Sequence, residues 1–170
     1  QIDLAIIGGQ LPGDLENLLQ VIPYATDELA LVLPSKHPLS NKKELLKEDL
    51  YKLNFVTLDS QSTTRKVVDK LLKDSGLDIQ RLKIEMELNS LEAIKNAVQS
   101  GLGASFLPVV SIERELAAGT IHKAFIADLE VKRELKLITN PSRYTSRASE
   151  VFKKNILPQF ASFESPLRES

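Results

Sequence analysis

Apolar and polar positions follow two different periods along this chain, and the change from one to the other marks its elements. Lys83-Ile84-Glu85-Met86-Glu87-Leu88 alternates polar with apolar, the period of a strand with two unlike faces. Leu91, Ile94 and Val98 then recur at helical spacing. Asn89, with Glu92 three positions later, has the form of a capping box, so the pattern predicts a helix that starts near Ser90. Gly101 stands where a helix ends in the left-handed conformation that glycine alone adopts freely, and a second strand follows at once. The unit is strand, helix, strand, which predicts two parallel strands joined by a right-handed crossover. The chain is of the α/β class.

The remaining elements fall in order around this unit. Ile2-Asp3-Leu4-Ala5-Ile6-Ile7 is nearly all apolar, as in a parallel strand covered on both faces, and Gly8-Gly9 ends it. Leu18 to Tyr24 and Glu28 to Leu33 form one or two extended segments, with Pro23 arguing for an edge or a break between them. His37, between Pro34 and Pro38, reads as an exposed turn residue. Leu45, Leu46, Leu50 and Leu53 among charges suggest short helical turns on a surface. Phe55-Val56-Thr57-Leu58 is a buried strand leading into a helix with Val67, Val68, Leu71 and Leu72 inward. A short helix before Gly119, a short strand over residues 120–125 and a late strand over residues 133–139 follow. The last helix, residues 146–156, should turn Ala148, Val151, Phe152 and Ile156 inward, with Pro158 limiting it and a frayed tail after Phe163.

Composition narrows the function classes. With 170 residues, 42% of them hydrophobic, the chain can build one compact domain or two small lobes. Twenty-two basic residues against twenty-three acidic ones leave a net charge of −1, which gives no electrostatic footprint for nucleic acid or an anionic membrane. Cysteine is absent, which removes disulfides and thiolate metal sites, and His37 and His122 lack ligand-like spacing. No apolar run approaches the roughly 18 to 20 residues that span a bilayer. The chain opens on a strand of a kind that needs neighbours, so upstream residues outside the sequence are expected.

The chemistry gathers at two places. In Asp59-Ser60-Gln61-Ser62-Thr63-Thr64-Arg65 four hydroxyls and one guanidinium meet where a strand gives way to a helix, a junction that attracts anions through the helix dipole and unsatisfied N–H groups. Ser62 or Thr63 could equally be a helix cap, and capping does not exclude ligand contact by its neighbours. Gly8 and Gly9, at the carboxyl end of a strand, are either turn residues or cleft residues, since ligands of open α/β sheets sit beyond such ends. No P-loop, nucleophile elbow or metal-ligand cluster is present, which tells against an enzyme.

Ile2-Asp3-Leu4-Ala5-Ile6, then Asp27-Glu28-Leu29-Ala30-Leu31-Val32-Leu33-Pro34 running to His37-Pro38-Leu39, then Gly101-Leu102-Gly103-Ala104 with Leu107-Pro108, form an ordered set. Together they resemble the effector-binding domain of LysR-type transcriptional regulators over nearly the whole chain. The stretches from Leu58 to Arg65 and from Glu85 to Ala104 are similar, more narrowly, to the rubisco-operon and carbon-uptake regulators of cyanobacteria and plastids. The resemblance implies two Rossmann-like, periplasmic-binding-protein-like lobes joined by two hinge strands through Leu29-Ala30-Leu31 and Leu135-Lys136-Leu137. Residues 1–29 plus 137–164 would form lobe I, incomplete at its amino end, residues 30–136 lobe II and 165–170 a tail, with the winged helix-turn-helix outside this chain.

The resemblance further implies a cytoplasmic or stromal regulator, not an enzyme, that needs no cofactor and holds a small anionic metabolite between its lobes. Ser62, Thr63, Thr64 and Arg65 would bind it, with Gly8, Gly9, Asn89 and Ser90 nearby. 2-Phosphoglycolate, ribulose 1,5-bisphosphate, 2-oxoglutarate and NADPH are the implied effectors. The intact protein would be a dimer or tetramer that meets promoter DNA through its amino-terminal domain and has no membrane partner. The competing reading is a solute-binding protein of a transport system, which shares the two-lobed cleft.

Overall fold

The computed structural model describes residues 3–9, 11, 13–142 and 146–156. In chain order these form β1 (Leu4–Ile7), α1 (Gly13–Glu16), β2 (Gln20–Pro34), β3 (Asn54–Leu58), α2 (Thr63–Asp74), β4 (Lys83–Leu88), α3 (Leu91–Gln99), β5 (Ser105–Pro108), α4 (Glu113–Ala117), β6 (Ile121–Ala124), β7 (Lys132–Thr139) and α5 (Arg147–Val151). The chain divides into two compact units, Gln1–Asp27 with Arg133–Ser170, and Glu28–Lys132. Both changes of unit fall at strands, the first inside β2 and the second at the start of β7.

The larger unit, residues 28–132, is built on the period-2 alternation of its strands. Leu29, Leu31 and Leu33 of β2 and Phe55 of β3 enter one apolar cluster, whereas Val32 and Val56, their chain neighbours, enter another. Val68 and Leu72 of α2 complete the first cluster; Ile94, Ala97 and Val98 of α3 complete the second. The two helices therefore cover opposite faces. Phe55, Leu72, Ile94 and Leu107 are among the largest side chains lost entirely to solvent, and each such burial contributes about 1.5–3 kcal/mol.

β3 and β4 pair in parallel, Thr57 beside Glu87 and Leu58 beside Leu88. On its other side β3 meets the start of β5: Ala104 N–H donates to Asn54 O at 2.7 Å, and Val56 N–H donates to Ala104 O at 2.9 Å. The strand-helix-strand unit read from the sequence is thus present, with β3 lying between its two strands. Gly103 permits that approach, because a methyl group there would stand 2.7 Å from Asn54 O. Gly101 takes φ +84° and closes α3 as expected. β2 pairs antiparallel with both β5 and β6.

The smaller unit corrects several expectations. β1 is not a parallel strand covered on both faces: it pairs antiparallel with β7, Leu4 opposite Thr139 and Ile7 opposite Lys136, and Ile6 is exposed. Pro23 breaks nothing, because β2 runs unbroken for 15 residues. In α5 the buried residue is Ser149, while Val151 is 48% exposed, so the expected inward face is rotated. Beyond Val151 the helix widens to a π-helical turn over Phe152–Ile156, so the 3.6-residue period of the expected face does not run on to its end. Pro158 and the tail after Phe163 lie outside the described residues.

The leucine-bearing stretch after residue 42 is also more than surface. Leu45, Leu50 and Leu53 belong to the first apolar cluster, and Leu46 alone of the four is exposed. Asp49 anchors this turn, accepting from Lys52 at 2.8 Å, Lys42 at 3.1 Å and Leu46 N–H at 3.1 Å. These partners hold its carboxyl at a pKa of about 2, Lys52 contributing most.

Candidate functional site

The junction of β3 with α2 is where the hydroxyl-rich stretch lies. Asp59 shapes the turn, its carboxylate accepting Gln61 N–H at 2.9 Å and its carbonyl accepting Ser62 N–H at 3.0 Å. Ser62 occupies the cap position of α2 but makes no side-chain capping bond, and no acidic residue stands in the helix's first turn. The first-turn N–H groups of a helix have no acceptor within the helix, and here the Ser62 side chain supplies none. Thr63 is exposed beside them; Ser62 and Thr64 are half-buried.

Arg65 is more engaged than an isolated anion ligand would be. Its Nε donates to both oxygens of Asp69 at 2.9 Å. Its Nη1 donates to Thr57 Oγ1, to Leu58 O at 3.2 Å and to Glu87 Oε1 at 3.3 Å. The Arg65 side chain is 15% exposed. It welds α2 to β3 and β4 and leaves Nη2 as its remaining donor group. Beside it lies a cavity of about 30 Å³ lined by Phe55, Thr57, Thr64, Ser105 and Phe106, room for a water or two and not for a metabolite. An anion at this junction would rest on its rim.

The other expected site residues go elsewhere. Asn89 and Ser90 precede α3, and the cap is Ser90, whose Oγ accepts Ala93 N–H at 3.4 Å. The predicted Asn89–Glu92 box does not form, because Glu92 turns to Lys95 at 2.7 Å. Lys95 also meets Glu115 of α4 at 3.0 Å and the Ser111 carbonyl at 3.1 Å. The Glu92 and Glu115 carboxylates raise the Lys95 pKa, and Lys95 lowers that of Glu115. His37 caps a turn, its Nδ1 accepting Leu39 N–H at 3.2 Å.

Gly8 is a seat for Arg133 in the smaller unit: a methyl group there would stand 3.1 Å from both Arg133 Cδ and Leu135 Cδ2. Gly9 is half-buried beside it. Arg133 in turn donates through Nε at 2.9 Å and Nη2 at 2.6 Å to one oxygen of buried Asp27. Sequence reading missed this pair: Asp27 opens one of the motifs, but 106 positions separate it from Arg133 and nothing in the sequence joins them.

A hollow of about 530 Å³ in the larger unit was also missed. Its wall carries Glu28, Glu44, Asp128 and Glu130 against Lys123, a balance unsuited to an anion. Among the described residues no group of three His, Cys, Asp or Glu side chains is placed to hold a metal, and no helix is long and apolar enough to cross a membrane.

The fold agrees with what comparison shows. Residues 1–161 match the LysR substrate binding domain, and the chain belongs to that family. Within it, the chain is 58% identical over 161 residues to the probable RuBisCO transcriptional regulator of Synechocystis sp. (strain ATCC 27184 / PCC 6803 / Kazusa), which covers 95% of this chain and 47% of that protein. It is 57% identical over 160 residues to the probable RuBisCO transcriptional regulator of Porphyra purpurea, covering 94% of this chain and 50% of that one. The chain thus spans about half the length of the curated relatives it matches. Its fold is that of the Synechocystis PCC6803 CcmR regulatory domain, solved in complex with 2-PG, with a TM-score of 0.81 and 23% identity over 96% of this chain and 76% of that one. The family and the branch indicated by the sequence motifs are both borne out.

Proposed function

We infer that this domain senses a small anionic metabolite on behalf of a LysR-type regulator of rubisco or inorganic-carbon-uptake genes. The observation that carries the reading is the open amino end of α2, where Ser62 leaves the helix uncapped and Thr63, Thr64 and Arg65 surround its first turn. The identity to RuBisCO regulators supports the regulatory role and disfavours a transport solute-binding protein. The CcmR domain's complex with 2-PG makes 2-phosphoglycolate the first effector to try, ahead of ribulose 1,5-bisphosphate, 2-oxoglutarate and NADPH. The relatives' organisms support a cyanobacterial cytoplasm or a plastid stroma as the location of such a regulator. In the full-length protein, a dimer or tetramer on promoter DNA, the effector acts by binding one conformation of the regulator better than another.

Calorimetric titration of the full-length protein with these four anions tests the reading. Thr63→Val should lower affinity for the one that binds by about tenfold, the effect of one lost hydrogen bond to a charged group, and leave the melting temperature nearly unchanged. Undiminished affinity would remove the α2 end from the site.

A further inference from the structure

Asp27 and Arg133 are the last and first residues of the two segments that make the smaller unit, so their ion pair stands where β2 and β7 change unit. Arg133 Nε and Nη2 both reach Asp27 Oδ2, at 2.9 and 2.6 Å, and the two side chains are only 15% and 9% exposed. Gly8, just past β1, makes room for the arginine arm. Its φ lies outside the left-handed region, and a methyl group there would stand 3.1 Å from Arg133 Cδ, so its missing side chain is a matter of space and not of backbone freedom.

One residue further along β2 the partners change. Glu28 takes Lys123 of β6 at 2.7 Å, in a pair more open to solvent at 43% and 24%. Leu29 N–H then donates to Val131 O at 2.8 Å. Leu31 and Leu137, from the two stretches expected to act as hinges, are buried and paired within sheets, Leu31 to Phe106 and Leu137 to Ile6. The links Asp27–Glu28 and Lys132–Arg133 lie between these two sets of bonds.

We propose that the Asp27–Arg133 pair, seated on Gly8, is a clasp that fixes β2 to β7 on one side of the boundary and confines the flexing of both strands to those two links. The looser Glu28–Lys123 pair holds β2 on the other side. Each strand then bends at one link and stays straight to either side of it. Successive side chains of a strand point to opposite faces, so the two carboxylates hold β2 from different sides and neither replaces the other. Burial makes the first pair the dominant one, because exposed ion pairs contribute little while breaking a buried pair strands a charge.

Amide hydrogen exchange on the full-length protein reads the two sides separately. Asp27→Asn should speed exchange over residues 20–27 and 133–139 by about 10- to 100-fold, the effect of losing hydrogen bonds to a charged group, and leave residues 28–34 within about twofold of the wild type. Glu28→Gln should give the reverse pattern, a rise of about two- to fivefold limited to residues 28–34. Arg133→Lys keeps the charge but replaces the planar fork with a single ammonium, so a smaller rise over the same two segments as in Asp27→Asn is expected. That variant decides the matter if Asp27→Asn lowers the melting temperature so far that exchange rises everywhere. Equal rises on both sides of the boundary in Arg133→Lys, a Glu28→Gln rise that spreads into residues 20–27, or no rise in Asp27→Asn overturns the proposal.

Discussion

Two strand-to-helix junctions lie side by side in the larger unit, and they end differently. β3 and β4 are parallel neighbours, each followed by a hydroxyl residue and an amphipathic helix. At α3 the junction closes on itself: Ser90 caps the helix, Glu92 lies in its first turn, and Lys95 is braced by Glu92 and Glu115. At α2 Ser62 makes no capping bond, the first turn holds no acid, and the cation there is Arg65. One helix end has a side-chain cap and an acid in its first turn, and the other has neither. A hydroxyl before a helix therefore does not by itself mark a cap or a ligand site, and what decides is where the nearby charges go.

The largest effect that can break this contrast comes from Arg65→Ala. The substitution strands the half-buried Asp69 carboxylate, detaches α2 from Glu87 and removes the one guanidinium at the open junction. The expected outcome is a loss of about 1–3 kcal/mol in denaturant unfolding together with a 10- to 100-fold fall in anion affinity. Stability lost with affinity intact would show that Arg65 serves the fold alone. Ser90→Ala comes next. It should cost about 1 kcal/mol, the usual value of a helix cap, and leave anion affinity unchanged. If affinity fell by tenfold, the closed junction would belong to the site after all.

The contrast also shows what the sequence could carry. The β4-α3-β5 unit was legible because its period changes from 2 to 3.6 within three residues and Gly101 stops it. Its cap was misplaced by one residue, since Asn89 and Ser90 are both good caps and only the pairing of Glu92 with Lys95 decides between them. Non-local partners stayed out of reach. The apolar run in β1 reads as a parallel strand, yet its partner is β7, more than 120 positions along the chain. Arg65 with Asp69 has the spacing of a helical ion pair, but nothing in the sequence brings Glu87 to the same guanidinium from 22 positions away. The hydroxyl-rich junction was therefore found by composition, and its charge balance only by the fold.

The smallest expected effect sharpens the comparison most. Ser62 and Ser90 stand at equivalent cap positions, but only Ser90 accepts from its helix, so Ser62→Ala removes no capping bond. Its cost in denaturant unfolding should stay within about 0.5 kcal/mol, the range of surface substitutions away from special features, and below that of Ser90→Ala. Any functional cost should appear in calorimetry instead, as a loss of at most about tenfold in anion affinity, the effect of one hydroxyl hydrogen bond to a charged group. A stability cost for Ser62→Ala equal to that for Ser90→Ala would mean that Ser62 caps α2 in solution. Its first-turn donors would then be satisfied from within, and the difference between the two junctions would vanish.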